Sequence, residues 1–308
     1  MKNLDFSVII PVYNGEQTVA ELYARVEDYF NSASKAFEVI FVYDHGKDNS
    51  WPVLLEIKRD NAAKVRLVKL SRNYGQHNAI IAGIERAHGQ FIVTMDEDLQ
   101  HNPNDIARLI EEQQKGDFDV VYGAYDERKH SGIRNFGSSV LKSLISIGIP
   151  DIHKDYSAFR LLKRHVAKNL VEMQNSYTFL DGYISWITTN CSSCTVSHAE
   201  RQGGKSAYDF KKLVNHTINI FVTFSDLPLK TLTFSSIFIF IITAGFSLYV
   251  LLRKLILDNY ETGYASLIIA IGFGVSVVML SLGVVGEYIH RINLKTTRKP
   301  NYIIKEEH

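Results

Sequence analysis

The first 125 residues alternate between short apolar runs and longer amphipathic stretches. Each apolar run is a nearly continuous series of β-branched and aromatic residues bounded by polar residues or glycine, which is typical of strands buried on both faces of a sheet. The runs that predict strands are Ser7–Pro11, Phe37–Tyr43, Val65–Leu70, Phe91–Met95 and Phe118–Tyr122. The stretches that predict helices are Gln17–Phe30, Trp51–Asp60, Gln76–Ala87 and Asn104–Lys115. Strands alternating with helices of this length indicate an α/β fold with a mostly parallel, doubly wound sheet.

A different pattern appears near the end of the chain, where two long apolar runs carry no charge. Thr231–Leu252 has 22 residues and Thr262–Gly286 has 25 residues. At about 1.5 Å of rise per residue, either helix would cross the roughly 30 Å hydrocarbon core of a bilayer. The nine-residue link Arg253–Glu261 predicts two antiparallel spans with both chain ends on the same side. The alternative is a buried helical hairpin in a soluble core, which these lengths disfavour.

The distribution of charged residues supports this division of the chain into two parts. The 308 residues include 34 Lys and Arg and 33 Asp and Glu, for a net charge of +1, so no basic excess is available for binding nucleic acid. Basic residues flanking the predicted spans outnumber those in the link between them. The positive-inside rule therefore predicts a multi-pass protein of the inner membrane, with both termini and the sheet domain in the cytoplasm. The flanking residues are Lys211, Lys212, Lys230, Arg291, Lys295, Arg298 and Lys299.

The segment before the first span is amphipathic. Residues 206–225 repeat apolar positions at helical intervals beside Lys211 and Lys212, as expected of a helix that lies along a membrane surface. Phe136–Ile149 has a similar pattern. The predicted domains are a sheet domain at 1–205, an interfacial helix at 206–230, a transmembrane hairpin at 231–286 and a cytoplasmic tail at 287–308.

Acidic residues follow the fourth predicted strand, where Asp96, Glu97 and Asp98 lie in MDEDLQHNP. Two carboxylates that are two residues apart on an extended turn can converge on one hard divalent cation shared with phosphate oxygens. Taken alone, this pair is equally compatible with a solvated turn. However, the loops after the first three strands are also polar and rich in Asn, Asp and Gly. Ligands of parallel sheets bind at the carboxyl ends of the strands, which is where these loops are predicted to lie.

These motifs together resemble the inverting family 2 glycosyltransferases with the GT-A fold. Within that family, the chain is similar to the polyprenyl-phosphate sugar synthases, which include dolichyl-phosphate mannose synthase and the bactoprenol glucosyltransferases. The resemblance is carried by SVIIPVYN, SRNYGQ, AGIERAHGQFIVTMDEDLQHNP, DYSAFRLLKR and ERQGGKSAYDFKKL, followed by FSDLPLK and the two apolar runs. Their joint order covers essentially the whole chain. The resemblance implies a Rossmann-like GT-A domain followed by interfacial helices and a membrane hairpin.

The resemblance also implies a donor site in the loops after the first and second strands. The residues it places there are Pro11, Tyr13, Glu16, Asp44 and Asp48. Asp44 is the candidate acceptor for the imide N–H of uracil, because a buried carboxylate left unpaired would disfavour another base. Tyr43 and His45 stand where the family motif DDGSxDxT has an Asp and a Gly. This departure leaves the identity of the base open.

Asp96 and Asp98 match the family's metal motif, with Asp98 the more direct ligand of Mg²⁺ or Mn²⁺. The cation acts as a Lewis acid towards the departing nucleoside diphosphate. The resemblance implies that Gln100 orients the donor or the metal loop, and that Asp155 occupies the position usually proposed for the catalytic base. A phosphate monoester has a second pKa of about 6 and is largely dianionic at neutral pH. We therefore expect Asp155 mainly to position the acceptor.

Four basic residues are implied to bind the acceptor's phosphate. Arg128 and Arg134 follow the fifth strand, and Arg201 and Lys205 flank a pair of glycines that let the backbone approach closely. The alternatives are a solvated charged loop for the first pair and a salt bridge to Glu200 for the second.

The leading prediction is the transfer of a hexose from a nucleotide sugar, with a UDP-sugar such as UDP-glucose favoured, to undecaprenyl phosphate with inversion. The lipid-linked product would serve modification of a cell-envelope glycan, so a flippase and a further glycosyltransferase are the partners expected, and homo-oligomerisation is left open. One alternative is a family 2 enzyme whose acceptor is a hydroxyl of a lipid-linked or lipopolysaccharide glycan, which needs a general base. Another is a non-catalytic membrane scaffold that binds a nucleotide sugar.

Overall fold

A computed structural model describes residues 4–125, 149, 151–173, 177–197 and 300–308, together with separate positions between 219 and 292. The chain divides into two compact units, one of Met1–Thr217 with Pro300–His308 and one of Ile218–Lys299. Most of the stretches predicted as interfacial helices lie outside the described residues. So do the predicted acceptor-binding residues, which are Arg128, Arg134, Arg201 and Lys205.

The first unit is built on one eight-stranded sheet with the strand order β7-β5-β6-β4-β1-β2-β3-β8. The strands are β1 (Phe6–Val12), β2 (Phe37–Tyr43), β3 (Val65–Leu70), β4 (Phe91–Thr94), β5 (Val120–Tyr125), β6 (Arg160–Lys163), β7 (Cys191–Val196) and β8 (Ile304–Glu307). Strands β1 to β4 are mutually parallel where they pair, and β5 is parallel to β7. Strands β6 and β8 run antiparallel to their neighbours.

Helices cover both faces of this sheet. They are α1 (Val19–Ser32), α2 (Ser50–Asp60), α3 (Gln76–Ile84), α4 (Ile106–Gly116), α5 (Arg164–Glu172) and α6 (Leu180–Ile187), with a short 3-10 turn at Pro103–Asp105. A cluster of buried apolar residues joins α1, α2 and α4 to one face of the sheet. On the other face, α3 approaches so closely that a Cβ at Gly83 would lie 2.5 Å from Ile9 Cγ2. The described part of the first unit is therefore a helix–sheet–helix sandwich.

The five predicted strands and four predicted helices are confirmed; β2 and β3 have the predicted bounds, and the other elements have shifted ends. The prediction placed the fifth strand at Phe118–Tyr122, whereas β5 begins at Val120 because Phe118 N still donates to Gln113 O, at the end of α4. Strand β6 was not predicted, since RLLK is short and carries a charge at each end. It pairs antiparallel with both β4 and β5, so the sheet is mixed in this half.

The C-terminal tail supplies the edge strand β8. Leu67 N donates to His308 O at 2.9 Å, and His308 N donates to Leu67 O at 3.0 Å. Lys69 Nζ forms an ion pair with Glu306 at 3.2 Å. The residues that follow the second apolar run therefore return to the sheet of the first unit, where the sequence predicted only a tail.

The described residues of the second unit between Thr231 and Ile292 are helical. Many of their large apolar side chains are exposed, among them Phe234, Phe238, Ile241, Leu267, Ile271, Val275, Val278 and Leu282. Within the positions that the structure describes, no helix is both long enough and apolar enough to cross a membrane. Much of the predicted spans 231–252 and 262–286 lies outside those positions.

Candidate active site

Four polar loops meet at one edge of the sheet. They follow β1, β2, β3 and β4, and these strands run parallel, so their carboxyl ends lie on the same side. The loops comprise residues 13–18, 44–49, 71–75 and 95–102. Most of the predicted donor and metal residues that the structure describes lie in them. Pro11 is the exception, because it is buried within β1 opposite Val42 and lies ahead of the loop.

The loops after β1 and β2 are fastened to each other. Glu16 N donates to Asp48 Oδ2 at 2.9 Å, and both nitrogens of Asn49 donate to the Glu16 carboxylate at 3.2 Å. Burial raises the pKa of Asp48, but hydrogen bonds from the Ser50 hydroxyl and from the amides of Glu16 and Ser50 outweigh it, so the net pKa is below its usual value. Glu16 and Asp48, predicted to contact the donor, thus join the two loops.

Asp44 fastens the loop after β3 to the end of β2. Its side chain is buried, Oδ1 accepts the Tyr74 amide at 2.7 Å, and Oδ2 accepts the Gly75 amide at 2.8 Å. Burial raises the pKa of Asp44, and these two hydrogen bonds oppose the rise. Gly75 has a φ of 87°, which favours glycine, and it comes directly before α3. A contact between Asp44 and a base would have to use the lone pairs that remain on these oxygens.

The acidic loop after β4 is held by neighbouring side chains. Asp96 Oδ1 accepts the Gln76 side-chain amide at 2.5 Å, and Asp96 N donates to His101 Nδ1 at 3.1 Å. Asp98 Oδ1 accepts the main-chain amide of Gln100 at 3.2 Å. Gln100 thus supports the loop through its backbone. The predicted metal residues lie at the carboxyl end of a central strand, as expected.

Glu97 lies between the acidic loop and the loop after β1. Its Oε1 accepts the Tyr13 amide at 3.3 Å, and a Cβ at Gly15 would lie 3.0 Å from its Cγ. Burial, together with the negative charges of Asp96 and Asp98, raises the pKa of Glu97 to about 7. Three consecutive acidic residues therefore concentrate negative charge at this edge, which a divalent cation would offset. The ring of Tyr13 is exposed beside them.

Gln76 and His101 contribute to the site although they were not among the predicted site residues. The His101 ring is buried and stacks on Phe159 at 5.1 Å and on Tyr125 at 6.0 Å between ring centroids. Gln76 lies in the motif SRNYGQ and His101 lies in DLQHNP, so the sequence did contain a signal for each residue. Gln76 reaches Asp96 from another loop, and the His101 ring is oriented by stacking on Tyr125 and Phe159, neither of which a single sequence shows.

Asp155 lies on the segment before β6. Its Oδ2 accepts the Ser193 hydroxyl at 2.8 Å, and its amide donates to His153 Nδ1 at 3.3 Å. The carboxylate is exposed and lines a cavity of about 410 Å³ together with Lys154 and Ser192. The same segment is tied to the end of β4, because the Thr94 hydroxyl donates to Ala158 O at 2.6 Å. Hydrogen bonds with Ser193 and His153 therefore hold Asp155, the candidate base, in position.

A buried ion pair lies beneath this segment. Arg160 and Asp181 are 1% and 3% exposed, and Arg160 Nη1 donates to Asp181 Oδ1. The Arg160 guanidinium lies 5.8 Å from the centre of the buried Tyr122 ring, and the His153 ring stacks on the same ring at 5.4 Å between centroids. Burial of both charges makes the pair sensitive to loss of either partner.

Comparisons with known proteins agree with this arrangement. The family model described as Glycosyl transferase family 2 matches residues 7–170. An uncharacterized glycosyltransferase of Bacillus subtilis, YkcC, is 31% identical and covers 100% of this chain and 95% of its own length. The undecaprenyl-phosphate 4-deoxy-4-formamido-L-arabinose transferase of Shewanella sediminis is also 31% identical and covers 99% of this chain and 93% of its own length.

Solved structures show the same fold at lower sequence identity. Glucosyl-3-phosphoglycerate synthase from Mycobacterium tuberculosis, crystallised with Mn²⁺, UDP-glucose and phosphoglyceric acid, has a TM-score of 0.54 and 14% identity. The similarity covers 72% of this chain and 78% of the synthase. The sheet and helices described above are therefore the GT-A arrangement expected from the sequence.

Proposed function

The chain belongs to glycosyl transferase family 2, and we propose that it transfers a sugar from a nucleotide sugar to a polyprenyl phosphate. The observation that carries this proposal is the group of loops joined by hydrogen bonds around Asp96 and Asp98 at the carboxyl edge of the sheet. The Shewanella sediminis relative is named for transfer to undecaprenyl phosphate and matches 99% of the chain, including the two apolar runs. That full-length similarity supports undecaprenyl phosphate as the acceptor.

The proposed donor is a UDP-sugar, with UDP-glucose as the first candidate. The interlocked loops after β1 and β2 form one side of the site, with the exposed Tyr13 beside Glu97. The buried Asp44 carboxylate already accepts two backbone amides, and the imide N–H of uracil would be a third donor that favours its charged form. This arrangement favours uracil over bases that present an acceptor at the same place.

The donor set at this edge fits a divalent cation. Among the described residues, no group of three or more His, Cys, Asp and Glu side chains could hold a metal ion alone. Two hard carboxylates, Asp96 and Asp98, instead suit Mg²⁺ or Mn²⁺ that also binds the donor's diphosphate oxygens. When bound, the cation would stabilise the charge on the departing nucleoside diphosphate. The negative charge concentrated around Glu97 supports this assignment.

The proposed reaction is a single displacement. A phosphate oxygen of the acceptor forms a bond to the anomeric carbon while the bond from that carbon to the diphosphate oxygen breaks, and the nucleoside diphosphate leaves with the electron pair. Attack opposite the leaving group inverts the anomeric carbon. A dianionic phosphate has no proton to lose, so Asp155, held by Ser193 and His153, would position the acceptor and its cations.

We also propose that the chain is anchored in the inner membrane, with both ends in the cytoplasm. Many of the described apolar side chains of the second unit are exposed, which a lipid environment would accommodate. Strand β8 follows the second apolar run and pairs with β3 of the catalytic sheet. An even number of spans is required to return the chain to the same side, which supports a hairpin of 231–252 and 262–286.

A product assay tests the proposed function. The purified full chain would be incubated with undecaprenyl phosphate, a divalent cation and a panel of nucleotide sugars, and lipid products would be weighed by mass spectrometry. We expect a lipid phosphohexose with UDP-glucose. Asp98→Asn should lower the rate about a hundredfold or more, on the scale of losing a group that stabilises developing charge. Asp28→Asn makes the same replacement at an exposed position of α1 and serves as the matched control.

The alternatives predict different products. A family 2 enzyme that extends a glycan would give no product with undecaprenyl phosphate but would glycosylate a lipid-linked or lipopolysaccharide hydroxyl. A scaffold would bind the nucleotide sugar and give no lipid product with any donor, and Asp98→Ala would retain full cellular function. Either result would overturn the proposal.

A further inference from the structure

Asp96 is held by two different parts of the structure. The side-chain amide of Gln76, the first residue of α3, donates to its Oδ1 at 2.5 Å. Its own main-chain amide donates to His101 Nδ1 at 3.1 Å. The first contact restrains the carboxylate and the second restrains the backbone that carries it. Together they restrict both the rotamer and the position of this side chain.

The position of Gln76 is itself determined by a buried group. The Asp44 carboxylate accepts the amides of Tyr74 and Gly75, the two residues that precede Gln76. Gly75, with its φ of 87°, then turns the chain into α3. The end of β2 therefore fixes the start of α3, and the start of α3 places an amide donor against Asp96.

The position of His101 is determined by stacking. Its ring is nearly parallel to the rings of Tyr125 and Phe159, with interplanar angles of 3° and 16°, and it is buried. Tyr125 ends β5, and Phe159 comes directly before β6. Because Nδ1 accepts the Asp96 amide, the ring presents an unprotonated nitrogen to that loop.

We propose that Gln76 and His101 are positioning residues that hold Asp96 in the geometry needed to bind a divalent cation together with the donor's diphosphate. The inference rests on the proposed function, in which Asp96 and Asp98 hold that cation. Neither side chain needs to touch the cation or the sugar. A carboxylate that is already restrained loses less conformational freedom when it binds, and its partners orient it towards the cation.

The exposure of Gln76 separates this role from a purely structural one. Its bond to Asp96 lies at the surface, so it contributes little to the stability of the fold, and Gln76→Met keeps the length of the side chain while removing the donor. Gln114→Met makes the same replacement at an exposed position on α4 and is the matched control. A loss of cation affinity in the first variant alone would therefore come from the contact with Asp96.

The experiment measures cation binding directly. The full chain in detergent, saturated with UDP, would be titrated with Mn²⁺, and free Mn²⁺ would be followed by electron paramagnetic resonance. We expect Gln76→Met to weaken Mn²⁺ binding about ten- to a hundredfold, the range for side chains that orient a metal ligand. The unfolding midpoint should be unchanged, and Gln114→Met should bind Mn²⁺ like the natural chain.

A pair of variants tests His101 in the same titration. In His101→Asn the side-chain oxygen comes near the place of Nδ1 and can accept the Asp96 amide, whereas in His101→Gln the polar group comes near the place of Nε2. We expect the asparagine variant to bind Mn²⁺ at least about fivefold more tightly than the glutamine variant, in line with one hydrogen bond. The same order should appear in the Mn²⁺ concentration that gives half-maximal transfer.

The outcomes distinguish this inference from the proposed function. If the natural chain with UDP does not bind Mn²⁺ or Mg²⁺, the assignment of the cation fails and the inference fails with it. If the natural chain binds Mn²⁺ and Gln76→Met stays within twofold of it, the inference is overturned while the proposed function stands. Equal binding by the two His101 variants would remove His101 from the proposal.

Discussion

The hydroxyl of Ser193 on β7 donates a 2.8 Å hydrogen bond to Oδ2 of Asp155, on the segment that leads into β6. The two residues are 38 positions apart in the chain. The bond fixes the direction of an exposed carboxylate. A positioning role for Asp155 is compatible with this arrangement.

The first prediction concerns Asp155. We expect Asp155→Asn to lower kcat with undecaprenyl phosphate by about tenfold or less, because a dianionic acceptor needs little proton abstraction. General bases contribute about 10²- to 10⁴-fold, so the two roles differ measurably. Ser193→Ala should have a smaller effect in the same direction. Steady-state kinetics check this, and complete loss in Asp155→Asn with intact folding and UDP binding would identify a true base.

The second prediction concerns the two hydrogen bonds that the Asp44 carboxylate accepts from the amides of Tyr74 and Gly75. Asp44→Ala leaves the amides of Tyr74 and Gly75 without their acceptor. We expect the free energy of unfolding without nucleotide to fall by about 1.5–3 kcal/mol, the range for hydrogen bonds to a charged group. Chemical unfolding in detergent measures it. Unchanged stability would mean that the loop after β3 does not depend on Asp44.

The same variant should also weaken UDP binding. The two hydrogen bonds to Asp44 fix the start of α3, and Gln76, the first residue of α3, supports Asp96. We expect a roughly tenfold or larger increase in the dissociation constant for UDP with Mn²⁺, measured by isothermal titration calorimetry. Glu38→Gln is the control, because Glu38 is also a buried carboxylate. It accepts the hydroxyl of Ser7, in β1, and the amide of His88, just before β4, and neither residue lies in the loops of the site.

The third prediction concerns the buried pair of Arg160 and Asp181. Removing one partner leaves an uncompensated buried charge, so Arg160→Met or Asp181→Leu alone should destabilise the protein by about 3–5 kcal/mol. The double variant should recover much of that loss, because replacing both charges by apolar groups is often close to neutral. Thermal and chemical unfolding of all four proteins measures the coupling. Additive losses would show that the pair does not act as a unit.

The fourth prediction concerns the C-terminal strand. A chain that ends after Asn301 lacks β8 and its ladder with β3, including the hydrogen bonds between His308 and Leu67. We expect a loss of several kcal/mol of stability at about 1 kcal/mol per hydrogen bond, and aggregation through the uncovered edge of β3. Unfolding measurements and size-exclusion chromatography check both effects. Lys305→Ala, an exposed change on the same strand, should leave them unaltered.

The pattern of apolar residues was sufficient to predict the strands and helices of the first 125 residues. Strands β2 and β3 begin and end where the apolar runs predicted. Every residue of β2 is buried, and all but Glu38 are apolar, as expected of a strand covered on both faces. Strands β6, β7 and β8 were missed, since RLLK and IKEE carry charges and CSSCTV contains no long apolar run. They become strands only because neighbouring edges offer unpaired backbone groups, a condition that depends on the assembled sheet.

The sequence alone predicts the α/β class, the edge of the sheet where the polar loops collect, and the acidic pair Asp96 and Asp98. These features depend on local periodicity and on motif order, which are written along the chain. The partners of Asp96 depend on the folded structure: Gln76 reaches it because the loops after β3 and β4 converge at the ends of parallel strands. His101 lies in the same loop as Asp96, and its ring is oriented by stacking on Tyr125 and Phe159. The folded structure also decided that Asp44 binds two backbone amides. Hydrogen bonds act over about 3 Å in space, so partners distant in sequence become visible only once the strands are paired.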